Sequence, residues 1–331
     1  MKITVLGAGS WGATLAMLLS DNGHDVTIWE IDTKRAKDLN DRKLKPFEAG
    51  SLLPEGIKVT NTFEKFNSSD VVLFVIPSDY MRSTCNLLKS NGVSLQDKLI
   101  VSATKGIENK TLLRMSEVIE SVFSGVYNNI AVLSGPSHAE EVCRKIPTAV
   151  TSASTNFEVS EKCRALFMNN FFRVYTQTDI IGVEVGAALK NVFAIASGII
   201  DGLNYGDNTK AAIVSRGLKE SAKVGVALGG KEETFFGLSG AGDLIVTCFS
   251  KHSRNRAVGE AIGSGKTLCA AQNSINNMVA EGVKNAVSAY EIGKKLNLEL
   301  PIINEVYKVL FECKNPLTAV NDLMMRVPKQ E

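Results

Sequence analysis

The stretch Lys2-Ile3-Thr4-Val5-Leu6-Gly7-Ala8-Gly9-Ser10-Trp11-Gly12 decides how this chain is read. Residues 2–6 read as a short β-strand. The glycines follow at once, and an apolar helical pattern runs from Ala13 to Leu19. A second strand, Asp25 to Trp29, ends at the acid Glu30. Strand, G-x-G-x-x-G, helix, strand and acid, in that order, make the dinucleotide-binding fingerprint. Gly7 permits the tight turn, Gly9 lets the backbone approach a pyrophosphate, and Gly12 lets the helix pack close to the strand. The helix start then offers free N–H groups and a positive dipole end to the phosphates. The other reading of the glycines is a strand–helix turn that serves packing alone.

The acid bears on which dinucleotide binds. Glu30 or Asp32 accepts hydrogen bonds from an adenosine ribose, and either repels a 2′-phosphate at close range. That favours NAD over NADP. Lys34 and Arg35 lie just beyond and offer cations that would accommodate NADP. Alternatively Lys34, Arg35 and Lys37 form a solvated helix face.

The chain has 331 residues, beyond the size at which one hydrophobic core usually keeps growing, so two domains are expected. Hydrophobic residues are 44% and charged residues 22%, which is ordinary for a globular protein. The net charge is +2, with no basic block to suit a nucleic acid or a membrane surface. The six cysteines, at 85, 143, 163, 248, 269 and 313, form no C-x-x-C and have no histidine at metal-ligand spacing. They read as reduced thiols, several buried in helices, and no metal is expected. A strand that starts at residue 2 leaves no room for a targeting segment, and no run of 18 apolar residues appears. A cytoplasmic protein is the expectation.

Short apolar runs at Val71–Ile76, Leu99–Ala103, Ile130–Leu133, Ala149–Thr151 and Phe172–Tyr175 alternate with helical or loop segments. This pattern predicts an α/β domain with a mostly parallel sheet covered on both faces. After about Asp179 the strand-like runs stop and helical periodicity continues to the end. Gly, Ala and Leu dominate residues 182–230, which predicts closely packed helices, and Pro301 and Pro316 punctuate later ones. The expected division is a dinucleotide-binding domain over 1–180 and an all-α domain over 181–331.

Four constellations carry candidate chemistry. Lys190 shares a small, largely apolar helix face with Val183, Ala187, Ala194 and Ser197. Such a lysine is either a buried general acid/base or one that snorkels to the surface. Lys105 follows the strand that starts at Leu99, at a strand carboxyl end that faces the ligand crevice, or else is a loop lysine in solvent. In Ser134-Gly135-Pro136-Ser137, Ser137 and Glu140 fit an S-x-x-E capping box that also points N–H groups at the crevice. In Ser253-Arg254-Asn255-Arg256, Ser253 looks like an N-cap, which puts Arg254 and Asn255 in a first helical turn. A cation there conflicts with the helix dipole, and a bound phosphate resolves it; so would an acid paired with the arginine. Asp243, after Gly240-Ala241-Gly242, is an N-cap or the partner of a catalytic lysine. His24, His138 and His252 are the only histidines, and none sits in a relay motif.

These segments, with Thr104-Lys105-Gly106, Ala188-Leu189-Lys190-Asn191-Val192, Gly206-Asp207-Asn208-Thr209-Lys210 and Val279-Ala280-Glu281-Gly282, occur in order along nearly the whole chain. Together they resemble the bacterial NAD(P)-dependent glycerol-3-phosphate dehydrogenases. The resemblance implies a Rossmann domain joined to an all-helical domain, with catalysis at their interface. It implies hydride transfer between the nicotinamide and dihydroxyacetone phosphate, which supplies glycerophospholipid synthesis. It implies Lys190 as proton donor and acceptor, supported by Lys105 and Asp243. Ser253, Arg254 and Asn255 would hold the phosphate substrate, with Gly135 and Ser137 lining the same site. Ser10, Trp11, Lys105, Ala139, Arg254, Val279 and Glu281 would contact the cofactor. A homodimer is expected from the family and the Gly/Ala-rich helices. Many bacterial members carry Arg or His after the second strand; Glu30-Ile31-Asp32 stands there here, which tips the expectation from NADP toward NAD. The alternatives are another two-domain dehydrogenase, for a hydroxyacid or a hydroxyacyl thioester, and a nucleotide-sensing module without turnover.

Overall fold

The computed structural model describes residues 1–47, 51–275, 280–328 and 330. Eight strands form one sheet: β1 (Lys2–Leu6), β2 (Asp25–Trp29), β3 (Lys58–Thr60), β4 (Val71–Phe74), β5 (Leu99–Ser102), β6 (Ile130–Ser134), β7 (Thr148–Ala153) and β8 (Phe172–Gln177). Their order is β3-β2-β1-β4-β5-β6-β7-β8. All neighbours are parallel except β6 and β7. The chain leaves β1 toward β2 and β3, then returns to the other side of β1 for β4. That reversal opens a crevice at the carboxyl ends of β1 and β4.

Strand β3 was not expected from the sequence. It is three residues long, sits at the sheet edge and pairs with β2. Only Val59 of the three is buried, so no apolar run marks it. The inner strands β4 and β6 are buried at every position, which is why their runs are continuous rather than alternating.

The chain divides into two compact units, residues 1–105 with 113–184, and residues 106–112 with 185–331. In the first, helices α1 (Ser10–Asp21), α2 (Thr33–Asn40), α3 (Glu64–Asn67), α4 (Met81–Ser90), α5 (Met115–Phe123), α6 (Ala139–Val142) and α7 (Phe157–Phe167) flank the sheet. Two apolar clusters form. One gathers Leu15, Leu19, Ile28 and Phe167; the other gathers Phe66, Phe74, Met81 and Ile119.

The second unit is helical: α8 (Ile180–Gly202, its first residues in the first unit), α9 (Asp207–Ala227), α10 (Asp243–Phe249), α11 (Arg254–Gly263), α12 (Leu268–Asn273), α13 (Glu281–Lys295), α14 (Pro301–Phe311) and α15 (Pro316–Met324). Pro301 and Pro316 each start a helix, where a missing N–H costs nothing. Helix α8 is the most apolar of the long helices described, with Glu184 and Lys190 interrupting it. Its most apolar 18-residue window has a mean hydropathy of 1.5, enough by length and composition to cross a membrane. Yet 94% of that window is buried inside the fold, the setting of a core helix.

Small residues let α8 and α11 approach. A Cβ on Gly198 would stand 1.9 Å from the Arg256 carbonyl oxygen, and one on Gly259 2.1 Å from that of Ile195. Gly202 and Gly263 repeat the pattern one turn on, at 2.2 Å from Glu260 and 2.3 Å from Ile199. The crossing is set by backbone against backbone.

Candidate active site

The glycine turn separates its two readings residue by residue. Gly7 has φ +106, and a Cβ there would lie 2.6 Å from the Val75 carbonyl oxygen. A Cβ on Gly12 would lie 2.1 Å from the Gly7 carbonyl oxygen. The fold itself therefore needs these two glycines. Gly9 is different: a Cβ there meets nothing within 4 Å. Gly9 is the N-cap of α1, with no side-chain cap bond and no acid in the first turn. An open approach to uncapped N–H groups suits a pyrophosphate, which is what a dinucleotide requires there. Ser10 and Trp11 open the helix, and the Trp11 indole Nε1 is buried without a hydrogen-bond partner among the described residues.

After β2 the two acids do different work. Asp32 is the N-cap of α2 and accepts from the Arg35 backbone N–H at 2.8 Å, so it acts as a cap. Glu30 Oε2 lies 3.5 Å from Arg35 Nε. Arg35 is not part of a solvated stripe. Its Nη2 donates to the carbonyls of Ala8, at 3.2 Å in the glycine turn, and Pro46, at 2.9 Å.

At the carboxyl ends of β5 and β6, Lys105 Nζ donates to the Gly135 carbonyl at 3.3 Å and Ser137 Oγ to the same oxygen at 2.9 Å. Gly135 has φ +148, and a Cβ there would stand 2.9 Å from Val150 Cα. The capping box expected at Ser137 does not form. Helix α6 starts at Ala139 with His138 as N-cap and no side-chain cap bond. Ser137 lies one residue too early, and its hydroxyl turns back to Gly135.

In the second unit Lys190 does not snorkel. Its Nζ donates to Asp243 Oδ1 at 2.5 Å and to Thr247 Oγ1 at 2.9 Å, with side-chain exposures of 9% for Lys190 and 1% for Asp243. The carboxylate offsets the desolvation of the ammonium. Asp243 opens α10 directly after a single π-helical turn, Leu238–Gly242. Single π-turns of this kind are rare and are frequent at functional sites.

Ser253 caps α11, accepting from the Arg256 backbone N–H at 3.2 Å. Arg254 is exposed and makes no hydrogen bond or ion pair among the described residues. The acid-paired alternative belongs to its neighbour Arg256 instead. Asn255 is buried: its Nδ2 donates to Asn191 Oδ1 at 2.9 Å, and its Oδ1 accepts from the Gly282 N–H at 2.9 Å. Asn255 thereby ties α8 to the start of α13, where Glu281 sits. Ala139 is the first residue of α6. Val279 lies outside the described residues.

Residues 2–160 match the family model for the NAD-dependent glycerol-3-phosphate dehydrogenase N-terminus, and residues 179–321 match that for its C-terminus. The chain belongs to the NAD-dependent glycerol-3-phosphate dehydrogenase family. It is 50% identical, over 100% of its length and 98% of the relative's, to a Fusobacterium nucleatum protein named glycerol-3-phosphate dehydrogenase (NAD(P)+). A Clostridium botulinum protein of the same name is 46% identical over 100% and 99%. A solved glycerol-3-phosphate dehydrogenase structure from Coxiella burnetii superposes with a TM-score of 0.92 at 33% identity, covering 98% of this chain and 99% of that one.

Two residues that touch the candidates of this glycerol-3-phosphate dehydrogenase family member are not singled out by the sequence. Thr247 lies four residues after Asp243, one helical turn along the same face, and that spacing was a usable signal. Asn191 touches Asn255 across 64 residues of sequence, and no local pattern shows that.

Proposed function

We propose that this protein catalyses reversible hydride transfer between a nicotinamide cofactor and C2 of dihydroxyacetone phosphate, with sn-glycerol 3-phosphate as product for glycerophospholipid synthesis. The observation that carries the reading is the buried Lys190 ammonium, held by Asp243 and Thr247 on the same helical unit as Arg254, which is unpaired among the described residues. A reduced nicotinamide bound through the glycine turn supplies the hydride. Lys190 passes a proton to the C2 oxygen as it gains charge, and Asp243 holds the lysine in place. Arg254, with Ser253 and Asn255 at the start of α11, anchors the phosphate and so fixes the distance of C2 from the hydride. Lys105, Gly135 and Ser137 complete the substrate residues. Gly7, Gly9, Ser10, Trp11, Gly12, Glu30, Lys105, Ala139, Arg254, Val279 and Glu281 bind the cofactor. Residues 1–180 form the cofactor domain and 181–331 the substrate domain.

NAD is the favoured cofactor. Arg35 is drawn toward the Ala8 and Pro46 carbonyls, and Asp32 is engaged as a cap. Glu30, which accepts from the Asp32 N–H at 3.1 Å and lies 3.5 Å from Arg35, is the acid assigned to a ribose hydroxyl. The protein works as a cytoplasmic homodimer, which sedimentation of the purified protein checks. The activity test follows absorbance at 340 nm with dihydroxyacetone phosphate and NADH, and in parallel with NADPH. Oxidation that needs the phosphate ester supports the reading, and a higher kcat/KM with NADH supports the role of Glu30. Cofactor binding without oxidation of either would defeat it.

A further inference from the structure

Two arginines open α11 and they are treated oppositely. Arg254 is unpaired among the described residues, while all three nitrogens of the Arg256 guanidinium are engaged. Its Nε donates to the Ser250 carbonyl at 3.1 Å, Nη1 pairs with Asp201 Oδ2, and Nη2 lies 3.2 Å from Glu260 Oε2. Ser250 is the C-cap of α10, the helix that carries Asp243 and Thr247. The Ser253 N–H donates to the same Ser250 carbonyl at 3.2 Å. One guanidinium therefore fixes the corner from which α11, and Arg254 with it, departs.

Asp201 stands behind that corner. It comes from the last turn of α8, and its other oxygen, Oδ1, takes Lys210 Nζ at 2.5 Å. The Lys210 ammonium also lies 5.2 Å from the Phe249 ring centroid, at the end of α10. Side-chain exposures are 12% for Lys210, 14% for Arg256 and 18% for Asp201. Water screens such a cluster poorly, so losing one partner leaves a half-buried charge uncompensated. Lys210 and Arg256 balance Asp201 and Glu260, which leaves Arg254 uncompensated at this helix start among the described residues. The glycines of α8 and α11 set how close the helices come. They do nothing for residues 250–254, which lie ahead of the first glycine contact.

We propose that Asp201 is a positioning residue for phosphate recognition: through Arg256 it holds the first turn of α11 so that Arg254 meets the substrate phosphate. Lys210 secures Asp201 from the opposite side. The inference rests on the function proposed above and deepens it. It gives the Gly206–Lys210 segment a task that neither the cofactor nor the proton transfer requires.

The test is steady-state kinetics of Asp201→Asn, which keeps the shape and removes the charge. KM for dihydroxyacetone phosphate rises about tenfold or more, while kcat stays within about twofold. The Ki of inorganic phosphate as a competitive inhibitor rises in step with KM, and the Kd for NADH is unchanged. Asp201→Glu, which keeps the carboxylate, recovers most of the loss. Glu260→Gln, at the more exposed partner, changes KM less than about twofold. If Asp201→Asn fails to fold, Arg256→Lys serves instead. It keeps the charge beside Asp201, gives up the guanidinium fork, and shows the same split. A folded Asp201→Asn with unchanged KM and phosphate Ki would overturn the proposal, as would equal losses in kcat, phosphate affinity and cofactor affinity. A wild-type protein that does not reduce dihydroxyacetone phosphate at all would defeat the function itself, a different and recognisable result.

Discussion

Lys190 and Arg254 are both cations, and the fold gives one a buried partner and leaves the other exposed. The proposed proton transfer needs an aimed lysine, and Asp243 and Thr247 hold the Lys190 ammonium in one direction. The proposed anchor for a doubly charged ester must be accessible, and Arg254 is exposed. Asp243→Asn keeps the hydrogen-bonding shape but removes the charge. It lowers kcat by about 10²–10³ with a smaller change in KM, measured by steady-state assay. Arg254→Leu behaves in the opposite sense: KM for dihydroxyacetone phosphate rises about 10²-fold or more, and kcat falls less. At this scale Lys190 and Arg254 were legible because a charged residue on a small apolar face, or at the wrong end of a helix, conflicts with its local setting. Ser137 was misread because the S-x-x-E pattern does not say where the helix begins. Asp201 carried no signal, since its partners lie in other helices.

Among the elements, the glycines divide into those the backbone needs and one, Gly9, whose missing Cβ faces open space. Gly9→Ala leaves the melting temperature within a degree or two and weakens NADH binding about tenfold or more, read by calorimetry. Gly259→Ala does the reverse. Its Cβ has no space against Ile195, so stability drops by more than about 2 kcal/mol in urea unfolding. Helix α14 offers a pH-dependent case. Its first N–H groups, at Ile302 and Ile303, are capped from α9 by the Glu220 carboxylate at 2.8 and 3.1 Å. Burial pushes that carboxyl up to about 7, from an ordinary 4.5, against the pull of the two N–H donors. The folded state thus binds a proton that the unfolded state has lost. Glu220 favours folding most below pH 4.5, and that contribution fades as the pH rises through 7. Glu220→Gln has no such slope. Between pH 4.5 and 8 its stability relative to wild type therefore improves by an amount on the order of 3 kcal/mol, followed by urea unfolding across that range. The inner strands could be read from their apolar runs, whereas β3 is too short to make one. The antiparallel pairing of β6 with β7 is set by the path between them, and residue pattern does not encode it.

The whole molecule comprises a unit built on a dinucleotide-type sheet and a helical unit that holds Lys190, Asp243 and Arg254. The sheet was legible from its first twelve residues, because a strand, three spaced glycines and a helix have few other uses together. The helical unit was legible as helices but not as a site, because its polar contacts join residues 50 or more positions apart, as in Lys190 with Asp243 and Asn191 with Asn255. The most direct test of the account is a single-turnover measurement. Enzyme carrying Lys190→Ala, loaded with NADH, is mixed rapidly with saturating dihydroxyacetone phosphate, and the loss of 340 nm absorbance is followed. Hydride transfer is expected to be slower by about 10²–10⁴, with NADH affinity intact. Transfer at close to the wild-type rate would contradict it and remove Lys190 from the chemistry.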